Sequence, residues 1–539
     1  MPSPTPDGRP AIPVRGMARL FLRKSVEQMH AEHEASELKR SLNSLNLVSL
    51  GIGCIIGTGI FVLTGRAAAD YAGPAIMISF IITGVLCAFV ALCYAELAAM
   101  LPVSGSAYSY SYASMGELVA WAMGLLLVLE YGLAASTVAV GWSSYVVSLL
   151  HDIGLHLPPQ LTAAPGVAVL EGDVVVAHGL VNLPAVVAMI AVTGLLVRGI
   201  QESANVNNVI VAIKLSVVIA FIAVGVFYVD TANWFPLVPD EIPAPPPGTE
   251  RGFWQDIWRA MTDVITAQNT SRYGVGGVIS GAATIFFAYI GFEAVSTAGA
   301  EARNPARDMP IGIIGSLVIC TILYIATSAV LVGIVPYARL DNAAPIAMAV
   351  NEMGLPWFAM LVKIGAIAGI SSVMLVLVYG QTRIFYTMAR DGLLPEAFAR
   401  VHKRFRTPWI DTIIVGVVAA GFSGFMSLDA LADLTNVGSL AAFAMVCLTV
   451  LYLRLAEPGL KRPFRTPLFP LVPLLGAAMC LFLLMSLMAN PATRNFFLIY
   501  LAGGMVVYFG YGIRHSKLAR GEIVIGAEPN LELPQKLDP

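Results

Sequence analysis

Charged side chains are scarce in this 539-residue chain: Asp, Glu, Lys and Arg together supply 12% of it, where a soluble globular domain carries roughly 25%. Hydrophobic residues reach 57% and the mean hydropathy is +0.76, more apolar surface than one water-facing fold can hide. A formal net charge of −2 leaves no electrostatic footprint for nucleic acid. Cysteine is sparse as well. The six, Cys54, Cys87, Cys93, Cys320, Cys447 and Cys480, all fall in apolar segments without metal-ligand spacing, which argues for small core residues rather than a disulfide framework or metal centre. No nucleophile–base pair stands out, and the Gly51–Gly59 stretch lacks a Walker lysine. An enzyme is therefore not expected, nor is a cofactor. Nor is a cleavable signal peptide, because the first ~40 residues are polar and basic and no small-residue cleavage site follows the first apolar run.

What the chain does hold is a series of apolar runs of about 18 residues or more, recurring from Leu47 almost to Tyr511. The bilayer core offers backbone groups no hydrogen-bond partners, so such runs must be helices. Twelve spans are predicted, at 46–66, 74–100, 117–150, 179–198, 206–229, 277–300, 311–336, 356–388, 408–428, 430–454, 468–489 and 494–513. The longest joint, Asp230 to Arg272, contains a Pro-Ala-Pro-Pro-Pro-Gly run at 243–248 and reads as a structured or partly mobile loop. Lys and Arg then set the orientation. Arg23, Lys24, Arg303, Arg307, Arg390, Lys403, Lys461, Arg462, Arg514 and Lys517 share one side, whereas the loop from His151 to His178 has no Lys or Arg. Both termini are thus expected in the cytoplasm of a cell bounded by this plasma or inner membrane. The bilayer is one partner; no obligate protein partner is evident.

The first span reads Gly51-Ile52-Gly53-Cys54-Ile55-Ile56-Gly57-Thr58-Gly59-Ile60-Phe61. Each glycine weakens a helix by roughly 1 kcal/mol against alanine, and a mere anchor would gain nothing from them. If the helix unwinds near Gly57 to Gly59, backbone polar groups are exposed at mid-membrane depth, which is tolerated where they line a cavity. The N–H groups opening the next half-helix suit a carboxylate, and the freed carbonyls suit an ammonium. Close helix packing explains this one run equally well. A second interruption tips the balance. Span 6 reads Ile285-Phe286-Phe287-Ala288-Tyr289-Ile290-Gly291-Phe292-Glu293-Ala294-Val295-Ser296-Thr297, with a glycine, a carboxylate and hydroxyls in mid-helix. If spans 1–5 and 6–10 form an inverted repeat, spans 1 and 6 are counterparts, and paired breaks of that kind point to a transporter site.

Ionisable residues inside spans are costly, at about 2.5–3.5 kcal/mol on insertion scales, and ask first for a function. Lys214 sits mid-span in Val211-Ala212-Ile213-Lys214-Leu215-Ser216-Val217. A buried amine there can gain and lose a proton near neutral pH, as proton coupling needs; a fixed structural cation between helices is the alternative. Glu130, after Leu125-Leu126-Leu127-Val128-Leu129, can meet an ammonium or pair with a protein group. Glu293 can hold the unwound segment or a water. Glu96 and Glu301 read as cytoplasmic-end helix contacts or inner-gate residues, and Lys363 as a residue that snorkels outward. The tyrosines Tyr108, Tyr110 and Tyr112 read as inner-interface residues with no ligand.

Six stretches in order carry a family resemblance: residues 51–61 with Val62-Leu63-Thr64-Gly65; Pro102-Val103-Ser104-Gly105-Ser106-Ala107-Tyr108; Leu129-Glu130-Tyr131-Gly132 with Val140-Gly141-Trp142; Gly291-Phe292-Glu293 with Glu301-Ala302-Arg303-Asn304-Pro305; Tyr379-Gly380-Gln381-Thr382-Arg383 with Arg390-Asp391-Gly392-Leu393-Leu394-Pro395; and Arg462-Pro463-Phe464-Arg465-Thr466-Pro467. From about Leu38 to Tyr511 the chain resembles the cationic amino acid transporter family of the amino acid–polyamine–organocation superfamily, in particular its bacterial proton-coupled permeases. The resemblance implies an all-α membrane protein of twelve transmembrane helices with a LeuT-type fold, two inverted five-helix repeats plus two extra C-terminal helices. That divides the chain into a cytoplasmic segment (1–45), a first repeat (46–229), an outer loop (230–276), a second repeat (277–454), two further helices (455–513) and a cytoplasmic tail (514–539).

By the same resemblance, the backbone of Ile55, Gly57, Thr58 and Gly59 and of Phe287, Ala288 and Ile290 would grip the substrate, with Glu130 and Ala134 facing it. Lys214 would stand where sodium-coupled relatives hold their ion, with Ser371 and Ser372 as hydroxyl neighbours. The expected activity is import of L-amino acids, cationic or small neutral, by symport with H⁺ as the coupling ion. An amino acid exchanger on the same fold, or a channel or sensor using the same central site, are the alternatives; a channel would favour a continuous polar pore lining rather than isolated polar points.

Overall fold

The computed structural model describes residues 20–24, 41–103, 105–171, 174–199, 204–242, 253–266, 271–405 and 407–521; the proline run at 243–248 lies outside them. Among the described residues, the α-helices of nine residues or more are α1 (Ser44–Ile55), α2 (Ile76–Met100), α3 (Ser106–Ser114), α4 (Glu117–Leu127), α5 (Ala134–Asp152), α6 (Leu183–Val197), α7 (Ala204–Gly225), α8 (Phe253–Ile265), α9 (Gly274–Ile285), α10 (Pro305–Ile334), α11 (Pro356–Arg390), α12 (Trp409–Phe425), α13 (Leu428–Ala456), α14 (Leu471–Leu487) and α15 (Pro491–Val507). A short antiparallel hairpin, β1 (Ala168–Glu171) and β2 (Val174–His178), sits in the loop after α5.

Among the described residues, eight continuous helical segments are long and apolar enough to cross a membrane, among them Gly59–Met100, Glu117–Asp152 and Gly274–Glu301, and α1, α6, α12 and α14 are shorter apolar helices. Their starts obey ordinary capping rules. Asn43, Asn182 and Ser427 accept from backbone N–H groups three residues on, at 2.9, 3.2 and 3.3 Å, and prolines open α6, α10, α11 and α15.

The packing order positions the site. Helix α2 lies on α10, α5 on α11, and α6 on α12, while α1 is held between α10 and α7. The core runs along these contacts and contains the buried segments of α1, α9 and the 3₁₀ turns that follow α9. Helix α13 packs against α14 and against the bulged part of the α4–α5 segment.

At the end of the bundle where residues 20–24 lie, Lys24 makes a buried ion pair with Asp391 at 2.6 Å, and Tyr108 Oη donates to the other oxygen of that carboxylate at 2.8 Å. Arg23 pairs with Glu457 at 3.3 Å. Glu117 accepts from Tyr112 and Tyr508, at 3.0 and 3.1 Å, and from Ser516. Tyr108 and Tyr112 are therefore buried in this seam rather than spread along an interface, while Tyr110, also buried, stands beside Ser296.

Candidate functional site

Helix α1 ends at Ile55, where Ile56 turns to an extended backbone (φ −75°, ψ 102°), and helix resumes at Gly59 in a wide π-type turn running to Leu63. A helix that stops leaves its last carbonyls without intrahelical donors. Two side chains from neighbouring helices reach them. Tyr324 Oη donates to Ile55 O at 2.8 Å, and Lys214 Nζ donates to Gly53 O at 2.6 Å and to Ile56 O at 3.1 Å. On the resuming side, the N–H groups of the first turn face the gap. Thr58 Oγ1 donates to Val138 O at 3.4 Å, and Gly141 of α5 leaves room for that threonine, since a Cβ there would overlap it.

The second break follows α9. A 3₁₀ turn covers Phe286–Tyr289, Ile290 is extended (ψ 132°), Gly291 adopts φ +122°, and 3₁₀ helix resumes over Glu293–Glu301. Only glycine enters that left-handed region without strain. Glu293 stabilises the turn, its Oε2 accepting from the Gly291 N–H at 2.8 Å. Asn436 of α13 caps the carbonyls of Ala283 and Thr284 at 2.9 and 3.1 Å.

The two breaks touch each other. A Cβ on Gly59 would overlap the Cα of Ala288, and a Cβ on Gly291 would lie 2.8 Å from the backbone carbonyl carbon of Cys54. Each break is thus built around a glycine that lets the other's backbone approach, and Ile55, Gly57, Thr58, Gly59, Phe287, Ala288 and Ile290 are gathered in one buried region.

Beside it lies a nest of buried polar side chains. Glu130 sits in a π-type bulge, Val128–Leu133, one turn before Ala134, which is also buried. Glu130 and Glu293 are both fully buried and interact with one another, with Ser439 next to Glu130 and Tyr131 next to Glu293. Among the described residues, both Glu130 oxygens, Glu293 Oε1, Tyr131 Oη, Ser439 Oγ and the Gln381 amide have no hydrogen-bond partner. Buried polar groups are normally paired, so this nest offers hydrogen bonds to a polar or cationic guest.

The remaining residues singled out from the sequence fall elsewhere. Ser371 accepts from Trp142 Nε1 at 2.9 Å and donates to Ile367 O, while Ser372 donates to Gly369 O at 3.0 Å. Helix α11 meets Lys214 at Gly369, where a Cβ would press on the lysine stem. Lys363 does not snorkel to solvent; it is 3% exposed and donates to Asp152 at 2.5 Å and to Ser148 O. Glu96 is bound by Arg454 at 2.5 and 3.0 Å, by the Thr466 N–H at 2.7 Å and by Arg462 at 3.3 Å, and Glu301 lies 3.8 Å from Arg383. Tyr324, Asn436 and Ser439 were not singled out in the sequence, and Gln381 stood there only within the Tyr379–Arg383 stretch. Polar residues isolated within otherwise apolar runs were the available signal.

Similarity to known proteins identifies the family. An amino acid permease family model matches residues 42–510. The methylthioribose transporter of Bacillus subtilis is 44% identical, covering 93% of this chain and all of the relative. The branched-chain amino acid permease BcaP of the same organism is 43% identical over 93% and 99% of the two chains. The mitochondrial cationic amino acid transporter 3 of Arabidopsis thaliana is 36% identical, covering 81% of this chain and 66% of that one. All three are named as transporters or permeases, none as an enzyme. With its apolar helices, this multi-pass integral membrane protein belongs to the amino acid permease family.

Proposed function

We propose that this permease is a secondary transporter that imports L-amino acids by proton symport through alternating access. Twelve spans in a LeuT-type 5+5 inverted repeat, residues 46–229 and 277–454, with two further helices over 455–513, would place both termini in the cytoplasm of the plasma or inner membrane. The packing of α2 on α10, α5 on α11 and α6 on α12 supports that repeat, since each pair joins spans five apart in the predicted order. The substrate's carboxylate would sit on the N–H groups from Gly57 to Gly59, and its ammonium on carbonyls at Ile55 and Phe287 to Ile290. Glu130 and Ala134 would face the side chain, and Lys214 would carry the coupling proton.

The observation that carries this reading is the mutual contact of the two breaks through Gly59 and Gly291. Backbone polar groups gathered at membrane depth from two helices suit the common ends of an amino acid better than they suit a packing seam. Uptake into proteoliposomes holding no amino acid, driven by an acid-outside gradient, tests it. Gradient-driven accumulation supports symport. Uptake only into preloaded vesicles means exchange, and the absence of trans-stimulation in counterflow means a channel or sensor.

A second reading comes from the relative named as a methylthioribose transporter. A thio-sugar brings neither carboxylate nor ammonium, so the breaks and the Glu130–Glu293 nest favour an amino acid. Ligand-linked thermal stabilisation across the twenty amino acids and methylthioribose separates the two, because whatever binds the native state raises Tm.

A further inference from the structure

Helix α8, Phe253–Ile265, lies in the loop between α7 and α9. At 100° per residue, its side chains divide into three stripes. Ala260 and Val264 are buried against the protein, where α8 contacts α9 and α14. Asp256, Arg259 and Asp263 form a charged stripe, and Arg259 is engaged by Glu241 at 3.1 Å and by Asp263 at 3.3 Å. Between these, on a stripe about 60° wide, stand Trp254, Trp258, Met261 and Ile265, exposed to 77%, 73%, 39% and 60%.

The location of this stripe says what covers it. The loop is pinned where the chain re-enters the bundle: Ile242 and Arg272 exchange backbone hydrogen bonds at 2.8 and 3.0 Å, Arg272 pairs with Asp70 at 3.0 Å, and Tyr273 Oη donates to Ala69 O at 2.6 Å. That fixes α8 at the rim, where membrane-crossing helices end. Its flank rests on α14, whose own outer face, including Leu474, Leu475 and Leu481, is exposed and apolar. The tryptophan stripe thus lies on a helix packed beside the exposed apolar face of α14, one of the shorter apolar helices.

We infer that α8 is an interfacial helix lying flat in the lipid leaflet at that rim, with Trp254, Trp258, Met261 and Ile265 immersed at the headgroup–acyl boundary. Helices of this kind bury an apolar face about 5–10 Å into that boundary, and tryptophan is enriched there. The charged stripe carries two carboxylates against one guanidinium, so apolar burial drives the contact without attraction to anionic lipid. The helix thereby anchors the loop that leads into the second break.

The test uses the full chain in phosphatidylcholine vesicles brominated either near the glycerol end or near the methyl end of the acyl chains. Subtracting the emission of the W254F/W258F variant isolates these two indoles. We expect loss of at least about half of that difference emission with shallow bromines and less with deep ones, unchanged when phosphatidylglycerol is added. Difference emission untouched by bromolipid but quenched by aqueous iodide would overturn the proposal. Emission shielded from both quenchers until the protein is diluted in lipid would mean that a second copy covers the face, which also overturns it. A fluorophore on M261C gives an independent readout, selective because all six native cysteines are buried. A blue-shifted spectrum sensitive to shallow bromines supports immersion, and a water-like spectrum refutes it.

Discussion

Lys214 Nζ donates to the Gly53 carbonyl across 2.6 Å and to the Ile56 carbonyl across 3.1 Å, joining α7 to the broken end of α1. Those carbonyls are available because the helix stops there, so one amine reads out whether the break exists. On the proposed reading, a lysine in this position would couple its protonation to the geometry of the α1 break. Deprotonation removes its full positive charge and one donor hydrogen, leaving the carbonyls a weaker partner and the α1 end freer to move.

Replacing Lys214 by methionine keeps the stem but leaves Gly53 O and Ile56 O without this donor. Leaving a buried acceptor unsatisfied costs about 1–3 kcal/mol, so the variant should unfold earlier in chemical or thermal denaturation. We expect it also to lose the response of uptake to an acid-outside gradient while retaining some counterflow. Gradient-driven accumulation at the wild-type level in this variant would remove Lys214 from the coupling role.

Gly59→Ala and Gly291→Ala test the contact between the breaks. The first pushes a methyl into the Cα of Ala288. The second adds a side chain at φ +122° and against Cys54. Overlap at Gly59 and backbone strain at Gly291 each cost of order 1–3 kcal/mol, enough to separate the two segments without unfolding the bundle. Initial uptake should fall at least about tenfold, equivalent to about 1.4 kcal/mol, with helical circular dichroism unchanged. Gly421→Ala, with no atom close to its Cβ position, is the control and should transport normally.

The apolar membrane helices were legible because apolar runs are a local property of the chain. Gly57, Gly59 and Gly291 were legible as breaks because glycine is costly in a helix. What each break meets was not. Tyr324 and Asn436 reach the freed carbonyls from helices more than 150 residues away, and their isolation in apolar runs does not say which carbonyls they meet. Ser371 is a similar case: its place on α11 was legible, but not the Trp142 Nε1–H that it accepts from. The periodicity of Trp254, Trp258, Met261 and Ile265 was present in the sequence, hidden by the proline-rich context of its loop.

Glu130→Gln keeps size and hydrogen-bonding capacity but removes a carboxyl that can ionise opposite a cationic guest in the nest it shares with Glu293. A substrate whose side chain carries a second cation loses more from this than a neutral one. Competition binding should show affinity for lysine or arginine falling by about tenfold or more, against a smaller change for alanine or leucine; charged hydrogen bonds are worth about 1.5–3 kcal/mol. Equal loss for all substrates would mean that Glu130 meets only the α-ammonium. Glu293→Gln retains an oxygen for the Gly291 N–H and should preserve the turn.

The Lys24–Asp391 pair ties the chain before α1 to the end of α11, and it is buried enough to matter: the two side chains are 5% and 4% exposed. Removing one partner of a buried pair strands the other's charge, at a cost of about 3–5 kcal/mol, here softened by the hydrogen bond from Tyr108. Lys24→Ala should therefore loosen the seam among α3, α4 and α11, while Asp391→Asn together with Lys24→Ala should loosen it less, because no charge is then stranded. Thiol labelling at S111C, a position buried in this seam, reads the opening directly. The rate should rise most in Lys24→Ala, less in the double variant and least in the parent. The same order in labelling and in loss of thermal stability would identify the pair as a latch whose closed form is held by charge pairing; faster labelling of the double variant than of Lys24→Ala would show that the pair's packing, not its charge, holds the seam.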